Sequence, residues 1–281
     1  MGRGSAADWI HADELTCALV IIMENNIVTY ELDGPVALIG LNRPEKRNAL
    51  SLELVESLAT AVIRAASEAS AGVIYGHGQA FSAGLDLAQL AKRISNKDAA
   101  PPIRRERNLW HYVFDLMDRG TIPFVAALHG ATIGGGLELA ASVHIRVADS
   151  TAFFALPEGQ RGIFLGGGGT VRIQKLIGYH TMADMMLTGR TISAAEAKDL
   201  QLVQYLTEPG KALEKAKSIA HRIAENTQQT NWQITNVLPR IGELSHDDGL
   251  FMEHLATAME KPAETLGRLR DFLEKRAKPI G

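Results

Sequence analysis

The chain has 281 residues, 46% hydrophobic and 22% charged, enough for one sizeable domain with its own core. A formal net charge of -3 gives no global field to draw it to nucleic acid or anionic lipid. The single cysteine, Cys17, excludes an intrachain disulfide and a multi-cysteine metal site, and it points to a reducing, cytoplasmic setting.

No apolar run approaches the ~20 residues that a membrane span needs. Residues 1–22 carry Asp8, Asp13 and Glu14 and lack the composition of a signal peptide. They are expected to be a disordered extension, with the domain opening at Met23. Ile27–Leu32 and Val36–Leu41 are β-rich, and Asp33-Gly34-Pro35 between them reads as the turn of a hairpin. Residues 42–48 form a charged loop. Ser51 then caps an apolar-periodic helix to about Ala66.

Gly72–Tyr75 is a short buried strand, followed by a loop over 76–84. Residues 92–108, polar, basic and broken by Pro101-Pro102, read as a loop or lid. Leu109–Asp118 returns to helical spacing, and Phe124–Leu128 is another strand. It leads through a glycine-rich turn into a helix over Leu137–Ser142. His144–Ala148 and Ala152–Ala155 read as strands, and after Gly166–Gly169 the sequence reads as helical almost to its end. The expected division is an extension (1–22), an α/β core (23–205) and a helical region (206–281).

Two stretches place small residues where a strand gives way to a turn or helix. They are Ala80-Phe81-Ser82-Ala83-Gly84-Leu85-Asp86 and Gly130-Ala131-Thr132-Ile133-Gly134-Gly135-Gly136-Leu137-Glu138. Without side chains the backbone can approach a ligand closely, and unpaired N–H groups at a helix start favour negative charge. Two such places facing one thioester oxygen would form an oxyanion hole. Equally, the glycines could serve only tight strand–helix packing.

Other glycine chemistries fail. There is no GxxxxGK[ST], the run from Gly76 lacks the third glycine of a dinucleotide fingerprint, and Ser82 misses the first glycine of a nucleophile elbow. Without that elbow or an ordered histidine partner, a serine hydrolase is rejected. No histidine pair is spaced to hold a metal, and His129 and His144 are read as structural. Two acids remain. Glu138 follows the glycines and Glu158 lies in a turn about twenty residues on. Taken singly, each is better explained by a helix dipole or a solvated turn. Together, two carboxyls beside a dry pocket can take a proton from water and give one to carbon.

The sequence resembles the crotonase (enoyl-CoA hydratase/isomerase) superfamily over about Glu24 to Pro279. The resemblance rests on five ordered motifs: LNRPEKRNAL (Leu41–Leu50), AFSAGLDL (Ala80–Leu87), AALHGATIGGGLELA (Ala126–Ala140), FALPEGQRGIFLGGGGTVRI (Phe154–Ile173) and LTGRTISAAEAKDLQLV (Leu187–Val203). It implies an α/β fold, a spiral of repeated ββα units with C-terminal helices that build homotrimers or dimers of trimers. It implies an oxyanion hole from the amides of Leu85 and Gly135, with Glu138 and Glu158 as the acid/base pair of a hydratase. It also implies an acyl-CoA substrate and no separate cofactor, because coenzyme A belongs to the substrate. Arg43, Lys46 and Arg47 fall beside the expected CoA path, Ala83, Asp86 and Leu87 border the thioester, and Lys275, Arg276 and Lys278 are further candidates for a phosphate.

Three places depart from the family pattern. Ile122 replaces a lysine before Pro123, Leu128-His129-Gly130 replaces valine-asparagine-glycine, and His144 replaces the aspartate of a D-x-R run that keeps Arg146. An isomerase using mainly Glu158, and an idle acyl-CoA-binding homologue, are the alternatives. Dehalogenase and decarboxylase relatives use other side chains.

Overall fold

The computed structural model describes residues 26–95, 109–259 and 262–274. The proposed extension over 1–22, most of the 92–108 loop, and Lys275, Arg276 and Lys278 lie outside them. Val28–Asp33 (β1) and Val36–Leu41 (β2) pair antiparallel around Gly34, whose φ of +58° suits glycine. Ser51 caps Leu52–Glu68 (α1), its hydroxyl accepting from Leu54 N at 3.3 Å. Ala71–Gly76 (β3) and Leu87–Ser95 (α2) follow, so residues 92–95 are helical where a loop is expected.

Next come Leu109–Asp118 (α3), Phe124–Leu128 (β4), Ala131–Ile133 (β5), Gly135–Ala140 (α4), Ile145–Asp149 (β6) and Phe153–Ala155 (β7). Gly169–Thr188 (α5) is broken at Gly178 (φ +77°, ψ 158°). Thr191–Ser193 (β8), Ala194–Asp199 (α6), Tyr205–Thr207 (β9) and Ala212–Ala224 (α7) complete the first unit. The helical tail expected after Gly169 is therefore interrupted by two strands. Each is only three residues long, too short for an alternating pattern to stand out.

Six strands form one sheet in the order β1-β2-β3-β4-β6-β9, parallel from β2 onward. Alternation sorts its side chains onto two faces. Ile39, Leu41, Ile74, Phe124, Ala126 and Leu128 pack in one core with Leu54, Val55 and Leu58 of α1. Leu38, Val73, Val125, Ala127 and Val147 pack in another with Ala216, Ile219 and Ala220 of α7. Both faces are buried, so the strands read as near-continuous apolar runs. A second sheet, β5-β7-β8, carries the glycine-rich turn.

The chain separates into two compact units after Glu225. That is later than the 205/206 division read from the sequence, because β9 pairs with β6 and α7 covers the sheet. The second unit holds Gln228–Trp232 (α8), Leu238–Ile241 (α9), His246–Ala258 (α10) and Pro262–Leu273 (α11). Among the described residues no helix is long and apolar enough to cross a membrane.

Candidate active site

The two glycine-bearing stretches lie side by side. Phe81 N donates to His129 O at 2.9 Å, Ser82 N to Ala131 O at 3.0 Å, and Ile133 N returns a bond to Ser82 O at 3.0 Å. The Ala80–Asp86 loop thus runs beside β5, and its end is held by the charged loop before α1. Leu50 N donates to Gly84 O at 2.7 Å, Asp86 N to Leu50 O at 3.1 Å, and Ala83 N to Arg47 O at 2.9 Å. Buried Asn48 braces the same turn, donating to His77 O and Ala80 O at 2.9 and 2.8 Å. The Ser82 hydroxyl donates to Asn48 O and accepts from Gly84 N.

This packing needs glycine at 84. Its φ is +85°, and a Cβ would lie 2.5 Å from Ile133 O and 3.1 Å from Gly135 N. Directly across, a Cβ on Gly135 would lie 3.4 Å from Leu85 N and 2.9 Å from Trp110 Cζ3. The amides of Leu85 and Gly135 therefore border one gap, walled by the Trp110 indole. Among the described residues neither amide has an acceptor. Trp110 meets Phe114 edge to face at 5.7 Å between centroids, which extends the apolar wall along α3.

Both predicted acids are buried, each 4% exposed. Glu138, in the first turn of α4, accepts from Gly167 N and Gly169 N, both at 2.9 Å and both on Oε1. Burial pushes its carboxyl above the ordinary glutamate value, opposed by those two amides and by the charges of His111 and Arg172. Glu158 approaches from the turn after β7, where a Cβ on Gly134 would lie 2.5 Å from its Oε1. Its Oε2 is buried and has no partner among the described residues. Burial pushes this carboxyl up as well, and the negative charge of Glu138 adds to the effect against the lowering influence of its own amide and Arg161.

The remaining predicted residues cluster on the loops around Leu85. Arg43 donates to Ala49 O at 2.7 Å and to Asp86 at 3.3 Å, so these two side chains pair with each other. Burial raises the Asp86 carboxyl, but the Gln89 amide and Arg43 more than offset it and leave it below the ordinary aspartate value. Lys46, Arg47 and Leu87 are exposed and Ala83 is half-buried. Among the described residues, no hydrogen bond or ion pair links any of these six side chains to Glu138 or Glu158.

The two unusual histidines have structural tasks. The His129 Nε2 lies 3.0 Å from Gly78 O, and His144 Nδ1 accepts from Phe124 N at 3.0 Å. Arg146 turns to carbonyls, donating to Leu202 O and Val143 O at 2.7 and 2.6 Å, and burial pushes its pKa down to about 10. Sequence reasoning missed the amides of Gly167 and Gly169. The run of four glycines at 166–169 is the available signal.

Fold and site together define an α/β protein in which the amides of Leu85 and Gly135 border one gap and the buried Glu138 and Glu158 lie on the adjoining helix and turn. The family profile described as enoyl-CoA hydratase/isomerase matches residues 31–279. A Bacillus subtilis protein with a provisional enoyl-CoA hydratase name is 32% identical over 256 residues, 89% of this chain and 97% of the relative. The short-chain-enoyl-CoA hydratase of Clostridium acetobutylicum is 34% identical over 207 residues, 73% of this chain and 77% of the relative. A crystal structure of a Rhodopseudomonas palustris protein, also provisionally named an enoyl-CoA hydratase, is 44% identical with a TM-score of 0.79, covering 89% of this chain and 96% of its own. The chain belongs to the enoyl-CoA hydratase/isomerase family, the crotonase superfamily.

Proposed function

We propose that this chain adds water across the double bond of a 2-enoyl-CoA to give a 3-hydroxyacyl-CoA. The observation that carries the reading is the pair of acceptor-free amides, Leu85 and Gly135, bordering one gap with the buried carboxyls of Glu138 and Glu158 nearby. A thioester oxygen in that gap accepts from both amides. Water attacks C3 as one glutamate takes its proton, and the double-bond electrons move onto that oxygen as an enolate. The enolate collapses as the other glutamate gives a proton to C2, so one water is consumed and no charge is left over.

The environments suggest the assignment. Glu138, held by two donated hydrogen bonds, is the better base for water. Glu158, with a buried oxygen that accepts nothing among the described residues and a neighbouring negative charge, is the better holder of the proton. The chemistry needs no cofactor, since coenzyme A arrives with the substrate. Ala83, Asp86 and Leu87 flank the thioester in this reading, and Arg43, Lys46 and Arg47 lie toward the CoA phosphates. A cytoplasmic site fits the lone cysteine. Homotrimers or dimers of trimers fit the second unit, which exposes Leu250, Phe251, Leu255, Leu269 and Phe272.

The test is loss of enone absorbance with crotonyl-CoA and with longer and aromatic enoyl-CoAs, for wild type, E138Q and E158Q. Each substitution is expected to lower kcat by about 10²–10⁴ with little change in CoA affinity. The free Oε2 of Glu158 favours a second reading, double-bond migration on that residue mainly. E138Q with full activity in moving a double bond would select it. Equal rates for all three proteins across the panel would mark an idle acyl-CoA-binding scaffold.

A further inference from the structure

Arg172 stands beside the site with no part in the proton transfers. Its side chain is 12% exposed and each of its three guanidinium nitrogens has an acceptor. Nε donates to Asp118 Oδ2 at 3.0 Å, Nη2 to Asp115 Oδ1 at 2.5 Å, and Nη1 to Gly167 O at 3.3 Å. Asp115 and Asp118 are three apart on α3 and so share one face. The carbonyl they reach through Arg172 belongs to the glycine turn that supplies both amides to Glu138.

We propose that Arg172 is a positioning residue for the reaction. By tying Asp115 and Asp118 to the carbonyl of Gly167, it fixes the 166–169 turn so that Gly167 N and Gly169 N hold Glu138 in one orientation. The kinetic consequence rests on the hydratase reading above, whereas the structural one does not.

The turn needs such a tether. Four consecutive glycines have little intrinsic preference for one backbone path, and Gly168 sits at φ +92°. No side chain of the turn can anchor it, so its path is fixed from outside. A Cβ on Gly168 would lie 2.5 Å from Arg172 Nη1, which shows how closely the guanidinium lies along the backbone. A planar fork is required, because three acceptors in different directions must be met at once. A lysine ammonium keeps the charge but not that geometry. Position matters to the chemistry, since a displacement of about 1 Å can cost about 10²-fold in rate.

Arg172 also acts on Glu138 through charge. The charged and titratable groups facing Glu138 are His111 on α3, Arg172 on α5 and Glu158 from the turn after β7. Removing the guanidinium takes away a group that favours the ionised carboxylate. The acidic limb of the pH–rate profile then moves to higher pH in R172M, and less so in R172K, which keeps a positive charge. A role in packing alone would not separate those two variants.

The test compares wild type, R172K, R172M, D118N and D115N/D118N. Readouts are kcat, KM, the pH–rate profile, melting temperature and amide hydrogen exchange at Gly167 and Gly169. D118N weakens one of the two acidic contacts to Arg172, together with a longer 3.7 Å pairing to the exposed Arg119, and serves as the mild variant should the others fold poorly. R172K and D115N/D118N are expected to lose about 10- to 100-fold in kcat with KM within about threefold, and D118N less, while exchange at both glycine amides speeds up. Wild-type kcat in R172K and D118N, or unchanged exchange at the two amides in every folded variant, would overturn the proposal. Faster exchange in the variants of a wild type that hydrates no enoyl-CoA would uphold the tether and defeat the hydratase reading instead.

Discussion

Substituting alanine for Gly135 tests the oxyanion gap with one methyl group. That carbon would sit 3.4 Å from Leu85 N and 2.9 Å from the Trp110 ring. An oxygen accepting from Leu85 lies ~2.9 Å from the same nitrogen, so methyl and oxygen compete for one space. The backbone itself accepts the change. Gly135 is absent from the positive-φ glycines and opens α4, where alanine is favoured over glycine by up to ~1 kcal/mol in a helix interior. At 2.9 Å the indole cannot stay in place and has to shift, which offsets part of that gain.

Stability should therefore hold while the reaction suffers. Losing one donor of such a pair costs roughly 2.7–4 kcal/mol of barrier, a factor of about 10²–10³ in rate. The assay is kcat/KM for crotonyl-CoA hydration, with the melting temperature measured on the same samples. A folded G135A protein within about fivefold of wild type would refute the oxyanion reasoning, since a fivefold loss is only ~1 kcal/mol. Gly84 is a poor choice for the same purpose, because φ +85° and the clash with Ile133 O would strain the loop before any substrate arrived.

The two acids also predict a pH dependence of stability. Both carboxyls are raised above 4.5 by burial, so above that value the native state holds more protons than the unfolded chain. Their stabilising contribution is complete below 4.5 and is lost as pH rises through the folded values. Relative to wild type, the double variant E138Q/E158Q should gain stability from acid to neutral pH, because neither amide has to ionise in its buried place. Thermal melts at several pH values check this, and a difference independent of pH contradicts it. At the start of α1, S51A removes the acceptor for Leu54 N and should cost about 1 kcal/mol, or ~2–4 °C in melting temperature, with kcat unchanged. An unshifted melt would mean that the cap contributes nothing.

Much of the core was legible because its physics is local. The hairpin around Gly34, the cap at Ser51 and the strands at Ala71–Gly76 and Phe124–Leu128 follow from apolar runs, turn residues and a hydroxyl. The interrupted C-terminal half was not. Thr191–Ser193 and Tyr205–Thr207 become strands only because β7 and β6 offer them edges, and three residues carry no periodicity of their own. In the site, the glycine stretches and both glutamates could be named from the sequence, but not what holds them. Nothing in the order of residues says that Gly167 and Gly169 turn their amides toward a carboxylate 29 and 31 positions upstream, since those contacts exist only after α4 and α5 are folded together.

That long-range support bears on how two similar acids could take different roles. Glu138 and Glu158 are equally shut off from solvent and burial raises both carboxyls, although more protein packs around Glu138. The difference comes from the backbone. Two amides from a side-chain-free turn stabilise charge on Glu138, while Glu158 keeps a buried oxygen without a donor and feels the charge of its neighbour. A glycine turn can do this where a turn with side chains could not. A Cβ at Gly167 would lie 3.2 Å from Glu138 Oε2, and one at Gly169 only 2.5 Å from its Cγ. The glycines therefore decide which of the two carboxyls is better held in its ionised form, and a side chain at either place would push Glu138 away from the amides that favour that form.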